Sequence, residues 1–489
     1  MTLQLKLSDL AHLDRIKSAL SGNDPRRQFS TLGMQQVTVA ENALDDLIPA
    51  IKRELARVGR GADQKRRIHM VADTVAISRD GQNLKDLVFA QLAEHFSAER
   101  VTLRDGHATL HADEAVQDRC AAACQGSDCI VSVGGGTITD IAKIAAMRNS
   151  TPVHVVVQTA ASVDGFTDNF SVVLQKGVKR TLLTRWPEVV LTDCRTISQA
   201  PHILNASGFG ELLSMYSAPG DWFLASKCGM DDTFTPTLVE LLALCGEGVE
   251  EWAGAVGQGD VEGIRRLAAA LAMRGIVTGV GGTTASLSGM EHLISHMLDI
   301  HGAETGAPTG LHGAQVGVAS VISAAAWEYF CERMDTNPPD PGQSFRDVDA
   351  WEAKVKTGFS GLDPTGRLGG QCWTHYRLKL MNWRDNRATV DSFFGDWHAI
   401  RSQRDALGLG SRAIAACLRQ ARAPMRYGDL QPAVPSELLR WAVTNCQYMR
   451  ERFTIADLLN FSGWWDEDGV TQVLERAEAA CNAAEARHG

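Results

Sequence analysis

The stretch from Cys129 to Ala146, CIVSVGGGTITDIAKIAA, constrains the fold more than any other part of the chain. A short apolar run, Ile130 to Val133, stops at three consecutive glycines, Gly134, Gly135 and Gly136. Beyond them Ile141, Ile144 and Ala145 recur at helical spacing, with Asp140 and Lys143 interleaved. This is the pattern of a buried strand, a tight turn and a helix start. Without Cβ atoms the turn lets the backbone approach a ligand closely. The first N–H groups of the helix, at the positive end of its dipole, suit a pyrophosphate. The spacing is not GxGxxG, and a purely structural turn also favours glycine, so both readings stand at this level.

The neighbouring segments repeat the alternation. Arg67 to Val75 (RIHMVADTV) predicts a strand ending at Asp73, and Leu84, Leu87, Val88 and Leu92 mark one face of a helix. Arg100 to Leu103 predicts a further strand, and Thr151 to Val157 another that ends at Gln158 and Thr159. Strands alternating with helices imply a mainly parallel, doubly wound sheet, whose ligands sit at the carboxyl ends of the strands. Asp73, Gly134 to Gly136 and Thr159 all fall at such ends, which favours a nucleotide site. From about Ala200 the chain is rich in Leu, Ala and Trp at helical spacing, as in Leu238 to Leu244, Ile264 to Met273 and Leu438 to Phe453.

The expected organisation is a helical N-terminal extension over residues 1–40, lying outside the main fold, followed by two domains. Residues 41–199 form an α/β nucleotide-binding domain with a parallel sheet, and residues 200–489 an all-α domain. Pro338 to Gly342 predicts a loop, and Ala353 to Gly370 an insertion or excursion. A net charge of −10 argues against a general affinity for nucleic acid. No apolar stretch reaches membrane-spanning length, and the polar N-terminus does not read as a signal peptide. The eleven cysteines form no CxxC pair, which points to reduced thiols and a cytoplasmic protein.

Metal-ligand candidates lie in the helical half. His292 and His296 stand four apart, on one helix face, and His312 opens LHGAQVG. Glu211 follows a glycine-flanked turn in GFGELL. One carboxylate with two or three imidazoles suits a borderline divalent ion with an open position. The pair is no HExxH motif, however, and 14 histidines produce such spacings by chance.

Taken in order, several motifs resemble the glycerol-1-phosphate dehydrogenases. These belong to the superfamily of iron-type alcohol dehydrogenases, glycerol dehydrogenases and 3-dehydroquinate synthases. The matching stretches are HADE (His111 to Glu114), VSVGGGTITDIAK, QTAASVDGFTDN (Gln158 to Asn169), GFGELL and Asp221–Trp222. SGMEHLISH (Ser288 to His296), LHGAQVG and MRERFTIADLL (Met449 to Leu459) complete the set. The resemblance implies a nucleotide-binding domain, a helical domain and a cleft between them.

It assigns nucleotide contacts to Asp73, Gly134, Gly135, Gly136, Asp140, Thr159 and Ser162, and a substrate contact to Asp164. The implied metal ligands are Glu211, His292 and His312, with His296 lining the site. NAD or NADP and one divalent ion are the implied cofactors, zinc ahead of nickel or iron. A polyol or sugar phosphate is the implied substrate, and a homo-oligomer is compatible with the pattern. Four positions depart from the family. Glu211 stands where the dehydrogenases usually have Asp and the synthase branch has Glu. Met215 replaces a usual lysine, Ala314 a common Glu, and Asp168 a usual serine beside the cofactor. A sugar-phosphate cyclase-type lyase and a non-catalytic binding relative are therefore the alternatives to a dehydrogenase.

Overall fold

The computed structural model describes residues 3–61, 66–106, 110–175, 178–339 and 348–486. They divide into two compact units. The first comprises residues 1–208, 240–247 and 254–282, and the second residues 209–239, 248–253 and 283–489.

Among the described residues, the first unit is built on ten strands. They are β1 (Gln36–Ala40), β2 (Arg67–Ala72), β3 (Ser78–Arg79), β4 (Gln82–Asn83), β5 (Ser97–Thr102), β6 (Cys129–Gly134), β7 (Val153–Gln158), β8 (Phe170–Gln175), β9 (Val178–Leu183) and β10 (Val189–Asp193). Six of them form one sheet in the order β1-β10-β7-β6-β2-β5, and every pairing in it is parallel. β3 with β4 and β8 with β9 are separate antiparallel hairpins.

The central strands β6, β7 and β10 are buried throughout, as their continuous apolar runs require. Alternate residues feed two cores. Val131 and Val133 pack with Val155, Val157, Ile51 and Val88 on one side. Ile130 and Val71 pack with Ile138, Ile141 and Ala145 on the other. The register pairs Gly134 with Gln158, and Gln158 with Thr192, so the glycine turn emerges level with the ends of its neighbours.

Residues 1–40 are not an extension outside the fold. Gln36–Ala40 is an edge strand of the main sheet, paired with β10. Ahead of it, Leu13, Ile16 and Leu20 of the Leu13–Gly22 helix are buried. Ser30 N–H donates to Val280 O at 2.7 Å, and a Cβ on Gly33 would meet Trp186 at 2.6 Å. The apolar face of this helix thus packs within the first unit. Nor does that unit end at residue 199, since it recovers residues 240–247 and 254–282 from the helical half.

Among the described residues, the second unit contains helices and no strand. The helices His202–Leu213 and His312–Thr336 cross with their backbones in contact. A Cβ on Gly210 would stand 2.3 Å from Gly313 O, and one on Gly317 would stand 2.6 Å from Gly210 Cα. Glycine at these positions is what permits the crossing, and it sets Glu211 beside the start of the second helix. The expected loop Pro338 to Gly342 lies mostly outside the described residues. Ala353 to Gly370, expected as an excursion, runs through two helices, Ala350–Ser360 and Arg367–Asp385. Lys379 of the second helix is fully buried, with Nζ 2.8 Å from Asp457 Oδ1 and 2.8 Å from Gln447 O. All eleven cysteines are buried and unpaired. No described helix is long and apolar enough to cross a membrane.

Candidate functional site

In the second unit, three residues far apart in sequence converge. Donor atoms of Glu211, His292 and His312 lie within 4.8 Å of one another. His292 Nε2 is 3.3 Å from Glu211 Oε1, and His312 Nε2 is 3.8 Å from Glu211 Oε2. The two rings stand 5.3 Å apart. Glu211 and His292 are buried, and His312 is about a quarter exposed at its side chain.

Hydrogen bonds behind the rings set their tautomers. His292 Nδ1 is 2.9 Å from Glu291 Oε1. A carboxylate only accepts, so Nδ1 carries the proton and Nε2 faces Glu211. Glu291 is itself fixed, accepting from Gly289 N–H at 2.6 Å and from the Ser217 hydroxyl at 2.9 Å. Ser295 Oγ donates its one proton to Gln315 Oε1 at 2.8 Å and lies 3.1 Å from His312 Nδ1. His312 Nδ1 must then be the donor, which leaves a lone pair on Nε2. Two lone-pair nitrogens aimed at one buried carboxylate repel it unless a cation sits among them. The protein's own remedy is a proton. Burial pulls the His292 imidazole down, but the charge of Glu211 and the hydrogen bonds the ring donates to Glu211 and Glu291 outweigh this and hold it up at about 9. A divalent ion would replace that proton, and the donor set of two imidazoles and a carboxylate fits one.

His296 lies one helical turn beyond His292, its ring stacked on His312 at 5.5 Å. With Asp299 and His312 it makes a second trio of donors within 4.8 Å. Burial dominates its titration and keeps the ring neutral, with its pKa well below the ordinary value. Asp221 secures the frame around these residues. It accepts from Met290 N–H at 2.8 Å, Trp327 Nε1–H at 3.0 Å and Ile455 N–H at 3.1 Å. Arg452 donates to Ser288 O at 2.7 Å and to Thr284 Oγ1 at 2.9 Å, tying MRERF to the turn that precedes the His292 helix. Met215 is a buried apolar side chain.

In the first unit, the glycine turn opens the helix Gly136–Arg148 with Gly135 as its cap. Gly135 has φ −81° and ψ −169°, a backbone that any residue adopts, and a Cβ there meets nothing within 4 Å. Neither strain nor packing requires glycine at this position, whereas a ligand pressed against the backbone would. Gly134 differs, because a Cβ there would strike Ile138 at 2.8 Å. A Cβ on Gly136 would stand 3.1 Å from Val163 Cγ2, so the loop holding Thr159, Ser162 and Asp164 lies against the turn. Asp140 is engaged elsewhere, its Oδ2 accepting from Val172 N–H of β8 at 3.1 Å.

Three acids near this end have cationic partners that the motifs do not show. Lys143 Nζ lies 2.5 Å from Asp168 Oδ1 and also donates to Gly165 O and Phe170 O. Asp168 therefore presents no bare charge to a pyrophosphate. Arg274 of the Val261–Gly281 helix, fully buried, contacts Asp164 Oδ2 through Nε at 3.2 Å and Nη2 at 3.1 Å. Asp73 pairs with Lys85 Nζ.

Comparison with known proteins places this geometry among relatives. Residues 57–201 match the family described as iron-containing alcohol dehydrogenase. The glycerol-1-phosphate dehydrogenase [NAD(P)+] of Halalkalibacterium halodurans is 31% identical over 267 residues, covering 53% of this chain and 65% of the relative. The Pyrococcus furiosus enzyme of the same name is 34% identical over 194 residues, covering 40% of this chain and 54% of the relative. The Bacillus subtilis one is 28% identical and is covered over 80% of its length. The chain thus spans less than two thirds of the first two relatives. Among solved structures, glycerol dehydrogenase from Schizosaccharomyces pombe superposes with a TM-score of 0.54 at 14% identity. That match covers 93% of this chain and 90% of the other. At that identity the likeness speaks to the fold.

Proposed function

Taking as premise that the chain belongs to the iron-containing alcohol dehydrogenase superfamily, we propose that it is a metal-dependent, NAD(P)-linked oxidoreductase. Its substrate in this reading is a polyol phosphate and the corresponding ketone, glycerol 1-phosphate with dihydroxyacetone phosphate or a related pair. The observation that carries the reading is the trio Glu211, His292 and His312, with both Nδ1 protons committed to Glu291 and Ser295.

The ion, when bound, supplies Lewis acidity toward the reacting oxygen, and the nicotinamide gives or takes the hydride. Glu211, His292 and His312 hold the ion. Glu291 and Ser295 keep the two imidazoles turned toward it. His296, neutral and one helical turn beyond His292, lines the site. N–H groups at the glycine turn bind the pyrophosphate, and Thr159 and Ser162 line the loop beside it. Asp73 reads the ribose, and Asp164, steadied by Arg274, contacts the substrate.

Glu211 favours one second reading, a cyclase-type lyase in which the dinucleotide is reduced and reoxidised within each turnover. A single experiment separates the two. Purified protein is incubated with dihydroxyacetone phosphate and other ketose phosphates, with NADH or NADPH, after loading with zinc, nickel or iron. Net loss of absorbance at the reduced-nicotinamide band supports the dehydrogenase. Consumption of a sugar phosphate with no net change in that band supports the lyase. Neither signal with any loaded ion leaves a binding role and removes the proposal.

A further inference from the structure

The acid at the end of β2 has a dedicated counter-ion. Lys85 Nζ stands 2.5 Å from Asp73 Oδ1, 2.9 Å from Asp73 O and 2.6 Å from Val75 O. Its three N–H bonds are thereby all used, and the residue is buried in the first turn of the Leu84–His95 helix. Asn83 fixes that turn by accepting from Lys85 N–H and Asp86 N–H. Val75 N–H adds a third hold on Asp73, reaching Oδ1 at 3.1 Å. Oδ1 thus takes both side-chain contacts, and Oδ2 takes neither of them.

The strand register says what this acid faces. β2 pairs in parallel with β6, Val71 opposite Ser132. β2 ends at Ala72, so Asp73 is the first residue beyond the strand, at the same carboxyl end of the sheet where β6 finishes at Gly134. In parallel nucleotide-binding sheets an acid so placed accepts from the ribose diol and repels a 2′-phosphate. Repulsion requires a net negative charge, however, and the pair at Asp73 has none.

We propose that Lys85 sets the cofactor tolerance of this site. By cancelling the Asp73 charge, it admits a nicotinamide dinucleotide bearing a 2′-phosphate as well as one with a free diol, while Oδ2 still accepts from the diol. Lys85 is a positioning residue, acting through Asp73. The inference rests on the nucleotide reading above and deepens it.

The test uses the full chain and two probes, NADH and NADPH, each titrated by nicotinamide fluorescence. In the wild type the two dissociation constants lie within about tenfold of each other. In Lys85→Met the ratio moves against NADPH by about tenfold or more, because the acid is left uncompensated. Lys85→Arg, which keeps the charge, restores the ratio toward wild type. In Asp73→Ala the ratio moves the opposite way, since Lys85 then faces the 2′-phosphate unopposed. Asp73→Ala carries the test alone if thermal melts show that Lys85→Met does not fold. A loss of affinity shared equally by both nucleotides, as a merely structural lysine would give, overturns the proposal. So does a wild type that already rejects NADPH by far more than tenfold. Failure of the wild type to bind either nucleotide overturns the nucleotide reading itself.

Discussion

The two units treat the acids of their candidate sites in opposite ways. In the first, Asp73, Asp164 and Asp168 are paired with Lys85, Arg274 and Lys143. In the second, Glu211 faces two imidazoles. Histidines show the same contrast. His154 in β7 is fully buried, and burial, with Arg185 and Lys143 nearby, depresses its pKa well below 6.5. His292 is as deeply buried, yet Glu211 and Glu291 hold it up at about 9. Lysine and arginine partners balance these three acids of the first unit within the protein. Imidazoles leave the second unit's centre dependent on a proton or on an ion that takes the proton's place. A pyrophosphate brings its own negative charge and is disfavoured by a bare acid beside it, whereas a metal needs an acid together with neutral donors.

The strongest way to break this contrast is to remove the imidazoles. His292→Ala and His312→Ala are each expected to abolish stoichiometric metal by elemental analysis. The proposed dehydrogenase turnover is expected to fall with it by roughly a thousandfold or more. Both variants retaining full metal and rate would mean that Glu211 is only another structural acid. The matching experiment in the first unit is Lys143→Met. It strands Asp168 in a buried place and is expected to cost about 3–5 kcal/mol in urea unfolding. Lys143→Met combined with Asp168→Asn should recover part of that loss, because the stranded charge is gone.

Gly135→Val sharpens the reading of the nucleotide end. The variant's Cβ meets no protein atom, so its melting point should match the wild type's, while NADH affinity drops by about a hundredfold or more. Full affinity in a folded variant would assign the glycines to the turn alone. Ser295→Ala tests the second unit more finely. It removes the group that accepts from His312 Nδ1, and metal affinity should fall by about 10–100-fold in a chelator competition. An unchanged affinity would show that the tautomer is set by something other than Ser295.

Much of this arrangement was legible in the sequence, and the illegible part has a common cause. The strand, the glycines and the helix of CIVSVGGGTITDIAK are local and strongly periodic, so they read directly. Glu211, His292 and His312 read because each sits in its own short motif. The edge strand Gln36–Ala40 and the strand Val189–Asp193 did not, since both are short and neither is followed by a glycine turn. The counter-ions are invisible for another reason: Lys143 and Asp168 are 25 residues apart, and Arg274 and Asp164 are 110 apart. No periodicity records such pairings. The trace they leave is a single charge inside an apolar helical run, Lys143 beside Ile141, Ile144 and Ala145, and Arg274 in LAAALAMRGIV. A charge placed so must be paired if it is buried.

The smallest expected effect concerns His154. Its ring sits in the middle of the sheet, with Nε2 3.0 Å from Ser132 Oγ, and is wholly buried. Because its folded pKa is depressed, the unfolded chain takes up a proton first as pH falls. The neutral ring therefore contributes stability that is fully present above about pH 6.5 and is lost progressively below it. The loss approaches one proton's worth, about 1.4 kcal/mol per pH unit, until the folded ring also titrates. His154→Gln keeps a polar group for Ser132 and removes the titration. Urea unfolding of both proteins at pH 7.5, 6.5 and 5.5 isolates the contribution, since every other histidine is common to the two. The wild type should lose about 1 kcal/mol more than the variant between the last two points. Parallel curves would mean that His154 is protonated in the folded sheet. The first unit would then tolerate a buried imidazolium, and the contrast with His292 would no longer be one of sign.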